Sequence, residues 1–386
     1  KSEESPYGSF SDYARQQPYN APWTDDGKLN RYFDGWDAWE TQVQNPLYDA
    51  TLGNIDKSGY VEIINNFSVE WKMTPELTLR GKFGISHTNN TSDMYKSPES
   101  SEFKDYTGDQ VLRKGRYAYT TGKANTYEGN VTLSYAKVFG EVHSLYAGLD
   151  ASIAQNDSNS YGFTMEGFTN DRPFIGNALN YAENDMPSAS EYTTRRLGLV
   201  GNVNYVYDNR YYVDLSLRTD GSSQFGSNKR FGTFWSAGLG WNVHNEKFFK
   251  TTKVSMLKLR YSYGVTGNQE FSAYQAQTMF QFNTDRLYNS SVTAELMGYG
   301  NPNLEWQNQY QSNFGVDFGY AKDRIRVQFN YYLKKTQGLL TTITVAPSLG
   351  FPSDKYTANL GEIQNKGLEV NLNAVIIRDM EKEFEW

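Results

Sequence analysis

About a dozen runs of alternating side chains punctuate this chain, and the links between them are short and long in strict succession. Few folds tolerate that rhythm. The runs fall near 61–73, 76–88, 126–138, 143–155, 195–207, 210–219, 232–243, 254–266, 308–321, 323–337, 366–377 and from 383. Short links include Thr74-Pro75, Asp208-Asn209 and Lys322-Asp323, whereas long ones cover roughly 89–125, 156–194, 220–231, 267–307 and 338–365. Each run has period two, the signature of a strand with one apolar and one polar face. Val203, Tyr205 and Tyr207 oppose Asn202 and Asn204; Ile325, Val327, Phe329, Tyr331 and Leu333 oppose Arg326, Gln328, Asn330 and Lys334. A water-soluble sandwich shows the same alternation, so the period alone does not decide. Connection length does more, because compact soluble domains seldom carry several structureless loops beyond about 15 residues. Short turns at one rim and long loops at the other fit an outer-membrane barrel.

Composition agrees with that reading. Apolar residues make up 38% of the 386 and aromatics 16%, with 30 Tyr, 22 Phe and 33 Gly. That is thin for a dry aliphatic core, yet it suits a barrel with a polar lumen and aromatic girdles. The net charge of −7 lacks the positive footprint of a nucleic-acid binder. There is no cysteine, which removes disulfides, cysteine-based zinc sites and thiol nucleophiles. No apolar stretch reaches the roughly 18 residues of a spanning helix. Both ends of the chain read as interior positions of something longer.

Chemistry-bearing constellations are scarce. His87, His143 and His244 are widely spaced and match no metal-ligand pattern. Asp25-Asp26-Gly27 and Asp220-Gly221-Ser222 read as turns rather than calcium loops. Neither a nucleophile elbow nor a phosphate loop occurs, so no catalytic residue, cofactor or metal is expected. Trp23, Trp36 and Trp39, with Tyr161 in a later loop, are the candidate substrate-binding aromatics, since exposed rings stack on sugars and peptide side chains. The plainer reading is that they pack their loops against neighbours. Trp71, Trp235 and Trp241 fall at strand ends, where an interfacial girdle places them.

From Arg218 onward a series of blocks becomes recognisable. Arg218-Thr219-Asp220-Gly221-Ser222-Ser223-Gln224-Phe225-Gly226 is followed by Phe231-Gly232-Thr233-Phe234, Gly240-Trp241-Asn242-Val243 and Glu246-Lys247-Phe248. Leu257-Lys258-Leu259-Arg260, Tyr263-Gly264-Val265-Thr266-Gly267-Asn268-Gln269 and Asn301-Pro302-Asn303-Leu304-Glu305-Trp306 come next. Asn359-Leu360-Gly361-Glu362-Ile363-Gln364-Asn365-Lys366-Gly367-Leu368-Glu369 closes the series. In this order the blocks resemble the barrel of SusC-like TonB-dependent outer-membrane transporters of the Bacteroidetes. The match is strong over 218–373 and weaker back to Asn45-Pro46-Leu47.

The resemblance implies an all-β chain forming part of a 22-stranded antiparallel transmembrane barrel, with periplasmic turns and extracellular loops. It implies residues 1–60 as an extracellular segment leading into the barrel and 61–386 as wall strands, the plug domain and remaining strands lying elsewhere. It further implies a SusD-like surface lipoprotein as lid, energy from TonB, ExbB and ExbD, contact with outer-membrane lipid and lipopolysaccharide, and import of oligosaccharides or peptides. The competing expectation is a secreted or surface all-β adhesin or carbohydrate-binding module.

Overall fold

The computed structural model describes residues 2–3, 10–34, 42–183, 185–249, 253–268, 272–289, 291–350, 355–376, 378–379 and 384–385. Eleven long strands carry the fold: β1 (Ile55–Lys72), β2 (Leu77–Lys96), β3 (Arg116–Phe139), β4 (His143–Phe168), β5 (Ser188–Tyr207), β6 (Tyr211–Ser222), β7 (Phe231–Asn242), β8 (Val254–Asn268), β9 (Gln307–Tyr320), β10 (Ile325–Gln337) and β11 (Glu362–Ala374). They are hydrogen-bonded in chain order within one sheet. Ser2–Glu3 pairs on the β1 edge, and Ala178–Tyr181 pairs with the end of β4. A single meander sheet replaces the two facing sheets that a sandwich requires. The chain divides into two compact units, one of residues 1–65, 85–126 and 156–193, the other of 66–84, 127–155 and 194–386.

In the second unit the strand registers turn the sequence alternation into two faces of opposite chemistry. Tyr205, Val213, Leu239, Tyr261, Phe314, Tyr331 and Leu368 are successive Cα partners and form one apolar row across seven strands. The opposite face carries the row Asn204, Asp214, Gly238, Ser262, Asn313, Tyr332 and Gly367. Period two and an unbroken register keep the two sets apart, since a slip of one residue exchanges the faces of a whole strand. The turns fix that register. Asp208 and Asn209 hold φ at 48° and 51°, a left-handed conformation that short Asx side chains tolerate. Ala321, Lys322 and Asp323 hold 54°, 58° and 63°. Ser255 on β8 anchors the latter turn, its hydroxyl donating to Asp323 Oδ1 at 2.6 Å and accepting the Asp323 N–H at 3.0 Å.

Two expectations need correction. The spans 89–125 and 156–194, expected as loops, are about half strand or more: β2 runs to Lys96, β3 starts at Arg116, β4 runs to Phe168 and β5 starts at Ser188. The first wall strand begins at Ile55, not 61. Period two is visible only where the faces differ, and around 89–93, 121–125 and 155–160 it fades while the ladder continues. Two other long links contain hairpins, Met279–Tyr288 with Ser291–Gly298 and Leu340–Thr344 with Lys355–Asn359. The run expected from 383 falls mostly outside the described residues; Phe384–Glu385 pairs with Arg378–Asp379 in a separate ribbon.

The first unit is stitched by polar groups around a small aromatic core. Asn45 is fully buried and caps the helix Pro46–Asp49, accepting from the Leu47 N–H at 3.1 Å. Asp49 accepts from the Ser101 N–H at 2.8 Å, and Arg31 pairs with Glu99 at 2.7 Å. Tyr95 is fully buried, with Phe168 edge-on at 5.2 Å.

In the second unit, three of the long links lock together. Leu304 is fully buried against Phe225; Trp306 packs on Phe225 at 4.3 Å and on Phe234 at 5.5 Å. Gly226 N–H donates to Leu304 O at 3.0 Å, and Asn228 N–H donates to Pro302 O at 3.1 Å. Asn359 accepts the Glu305 N–H at 2.9 Å and donates to Glu305 O and Gly338 O. The recognisable blocks around 225, 301–306 and 359 are therefore one interlocked collar.

Two outcomes follow from this geometry. Phe329→Arg, at the middle of the apolar run of β10, should lower stability by about 2–4 kcal/mol in a bilayer. Arg326→Ala, which removes an exposed ion pair to Asp323, should cost less than about 1 kcal/mol. Urea titration of the membrane-assembled protein measures both, and equal losses would reverse the assigned faces. At Gly226 an added Cβ would meet Pro302 O at 2.1 Å and Leu304 N at 2.8 Å, whereas Gly201 has open space. Gly226→Ala should therefore open the collar at a cost of about 1–3 kcal/mol, read as faster proteolysis within 220–230 and 299–306, with Gly201→Ala unchanged.

Candidate functional site

The polar face of the second unit is the natural candidate, because its charged groups are held by the wall itself. Arg260 on β8 donates from Nε and Nη2 to both carboxylate oxygens of Asp317 on β9, at 2.8 and 2.7 Å. It also donates to Asn330 Oδ1 on β10 at 3.2 Å, so one guanidinium bridges three strands. Bidentate pairing fixes the fork as well as the charge. The guanidinium lies flat because Gly315 lies beneath it: a Cβ there would stand 2.9 Å from Arg260 Cζ. Tyr332 similarly lies over Gly367, whose Cβ would come within 2.6 Å of the phenol oxygen. Large inward side chains thus fold over glycines of the neighbouring strand and leave open space above the face.

Beside this bridge is a cleft of about 180 Å³ lined by Tyr212, Asp214, Lys258, Arg260, Ser262 and Asn313. Lys258 Nζ sits 4.6 Å above the Tyr212 ring. Asn313 Oδ1 is buried without a hydrogen-bond partner. Farther along, Asp150 accepts from Asn130 Nδ2 at 2.6 Å and from the Thr132 hydroxyl at 2.7 Å. The face offers donors and acceptors of both signs. It can hydrate and hold a polar guest, and it assembles no nucleophile with a base. Among the described residues no group of three or more His, Asp or Glu could hold a metal ion.

The short-turn end of the apolar face carries an aromatic cluster. Tyr207, Tyr211 and Trp241 stack successively at 6.2 and 6.4 Å, and His143 joins Tyr207 at 5.0 Å. Glu246 collects the Tyr211 hydroxyl at 2.6 Å, Trp241 Nε1 at 3.0 Å and Arg210 Nη1 at 3.2 Å. The hydrogen bond from Tyr211, then that from Trp241, holds the Glu246 carboxyl below its ordinary range. Amphipathic rings with their polar atoms tied inward suit a membrane–water boundary.

The sequence candidates are scattered. Trp23 is exposed and bridges Leu29, while Tyr161 is exposed on β4 and shares a strand face with Asp157 and Asn159. Trp36 and Trp39 lie outside the described residues. The histidines are separate: His143 bonds the Tyr205 hydroxyl at 2.6 Å, His244 the backbone of Leu257, and His87 the side chain of Asn125. The Arg260–Asp317–Asn330 bridge was not anticipated. Its signal is charge at alternate positions of apolar runs, Lys258 and Arg260 between Leu257, Leu259 and Tyr261, and Asp317 between Val316 and Phe318.

Comparison with known proteins completes the picture. Residues 3–386 match the family described as TonB dependent receptor-like, beta-barrel. TonB-dependent receptor P39 of Formosa agariphila is 28% identical over 358 residues, covering 92% of this chain and 33% of that protein. TonB-dependent receptor SusC of Bacteroides thetaiotaomicron is 28% identical over 360 residues, covering 89% and 33%. The chain thus spans about a third of the length of these relatives, which are named as receptors. A structure of the RagAB peptide importer in a closed-closed state superposes with a TM-score of 0.80 at 24% identity, covering 93% of this chain and 38% of that one, which bears on the fold. With two-faced strands, an aromatic rim and a family match along nearly its whole length, the chain belongs to the TonB-dependent receptor β-barrels of the outer membrane and is SusC-like.

Proposed function

We propose that the protein is an outer-membrane importer of large nutrients, oligosaccharides or peptides, driven through TonB, ExbB and ExbD and lidded by a SusD-like lipoprotein. The observation that carries this reading is the family match over residues 3–386, joined to SusC at 28% identity along 89% of the chain. The wall supports it chemically. A barrel of 22 strands has a lumen too wide for side chains to fill, so selectivity passes to a plug, a lid and the outer loops. In this division of labour the segment before Ile55 forms an extracellular approach, the chain from Ile55 onward forms wall, and the plug with its TonB contact belongs to the rest of the protein.

The mechanism is capture and passage without covalent change. Solute held by lid and loops enters when TonB displaces the plug, and the inward polar row then solvates it in place of water. Arg260, Lys258, Asp214 and Asn313 offer both donors and acceptors along that path. The exposed Trp23 is the candidate ring for first contact. The structural neighbour RagAB is described as a peptide transporter; for this chain both cargo classes stand.

A deletion strain decides the reading. Growth on a panel of single oligosaccharides and defined peptides should fail for one class when the gene is removed, and return with the full-length gene. A version lacking the TonB-contacting segment should assemble normally yet restore less than about a tenth of the uptake rate. Full rescue by that version, or undiminished growth of the deletion strain on every compound, would overturn the importer assignment.

A further inference from the structure

The first unit holds a polar cavity whose hydrogen-bonding groups are only half used. Lys123 and Asn125 on β3, Asp157 and Asn159 on β4, and Glu191 and Thr193 on β5 line one cavity of about 90 Å³ across three neighbouring strands. In each pair the two residues are one position apart and so share a strand face. One side of the cavity is tied up. The Thr193 hydroxyl donates to Asp157 Oδ1 at 2.7 Å, and His87 sits between Asn125 and Asn89 at 2.5 and 3.0 Å. The other side is unspent. Asn159 Oδ1 is buried with no hydrogen-bond partner, and among the described residues no ion pair or side-chain hydrogen bond engages Lys123 or Glu191. Two residues along β4, on the face of Asp157 and Asn159, stands the exposed ring of Tyr161.

The geometry points to a docking site for one uncharged sugar ring of an oligosaccharide, with Tyr161 as its stacking platform. This rests on the importer reading and names which of its two cargo classes is captured here. A hydroxyl both donates and accepts, so neighbouring hydroxyls of one ring can donate to Asn159 Oδ1 and the Glu191 carboxylate while accepting from the Lys123 ammonium. The cavity takes the hydroxyl edge of the ring, and the C–H face is left to the Tyr161 phenol, itself apolar in body and polar at its tip. Charge selects among sugars. Asp157 and Glu191 face Lys123 alone, so a uronate or sulfated ring would bring a third anion to a site with one cation. Topology argues against a peptide. An extended peptide is held most readily by adding to a free strand edge, whereas β4 is paired on both sides, to β3 and to β5, and its backbone groups are already engaged.

The test titrates full-length protein in detergent, by calorimetry, with maltohexaose, cellohexaose, mannohexaose and xylohexaose, and with hexagalacturonate and hexa-alanine as the anionic and peptide probes. At least one of the uncharged hexasaccharides should bind, and the anionic and peptide probes should bind at least about tenfold more weakly, equivalent to about 1.4 kcal/mol. Tyr161→Ala and Glu191→Ala should each weaken the sugar by at least about tenfold. Tyr161→Phe and Glu191→Gln, which keep the ring and an acceptor, should retain most of the affinity. Both positions are exposed, so all four variants should assemble and resist unfolding by dodecyl sulfate as the wild type does. Binding of none of the four uncharged hexasaccharides, unchanged binding by either alanine variant, or a preference for the anionic or peptide probe would each overturn the proposal. Because binding is read without TonB, the two readings fail separately. A protein that binds the sugar as described yet restores no growth would sink the importer assignment and leave this site standing; an importer that binds no sugar would do the reverse.

Discussion

A backbone that enters hydrocarbon has nowhere to place its N–H and C=O groups except on a neighbouring strand. The continuous hydrogen-bond ladder from β1 to β11 meets that demand, and the rest of the structure depends on it. Once the ladder is fixed, side chains have only two places to go. Cross-strand rows such as Tyr205–Val213–Leu239–Tyr261 gather the apolar surface on one side. The same registers bring Arg260 opposite Gly315, and Gly315 opposite Asn330, on the other. The Arg260–Asp317–Asn330 bridge is thus a consequence of sheet register as much as of charge. A one-residue slip would turn the guanidinium into the apolar face, where it costs several times what the ion pair contributes.

The loops follow a different economy. Nothing in the ladder holds them, so they hold each other through groups far apart in sequence. Leu304 and Trp306 close over Phe225, and Asn359 satisfies both the N–H and the C=O of Glu305. An asparagine side chain suits this task because it presents donor and acceptor together, replacing two backbone partners with one residue. Gly226 is required by close approach: the Pro302 carbonyl occupies the position of any Cβ. The blocks that made the sequence recognisable are those that tie loop to loop, so the family signature records architecture more than cargo.

How far the fold was legible depends on whether a residue's two neighbouring environments differ. β10 and β6 were readable to within two or three residues at each end, because Ile325–Leu333 and Tyr211–Leu217 alternate sharply and the Lys322-Asp323 and Asp208-Asn209 turns bound them. The ends of β2, β3, β4 and β5 were not, because Asn89 to Asp93 and Gln155 to Asn159 are polar on both faces and period two vanishes while the ladder persists. Alternation sets Arg260 and Asp317 each opposite the apolar neighbours of its own strand, but pairing them across 57 residues needed the register. Of the candidate aromatics, Trp23 and Tyr161 are exposed, and Trp36 and Trp39 lie outside the described residues. A ring's exposure is set by what packs on it, and sequence spacing carries no record of that.

The apolar face also sets its own height. From Tyr211 to Thr219 on β6 the outward positions run Tyr, Val, Leu, Leu and then hydroxyl, with Thr219 meeting Thr233 at 3.2 Å. That rise covers about 27 Å along the strand, or roughly 20 Å across the membrane at a tilt of about 40°. The aromatic rim at Tyr211 and Trp241 adds the depth of a ring, approaching the roughly 25 Å of an outer-membrane apolar band. β6 and β7, at 12 residues each, are therefore about as long as the membrane demands. β3 and β4, at 24 and 26, are about twice that, and the excess begins with polar side chains, Asn125 and Lys123 on β3 and Asp157 and Asn159 on β4. Strand length beyond the bilayer serves neither ladder nor belt. It carries surface outward, and the chemistry of that surface is free to meet lipid headgroup, lid or cargo.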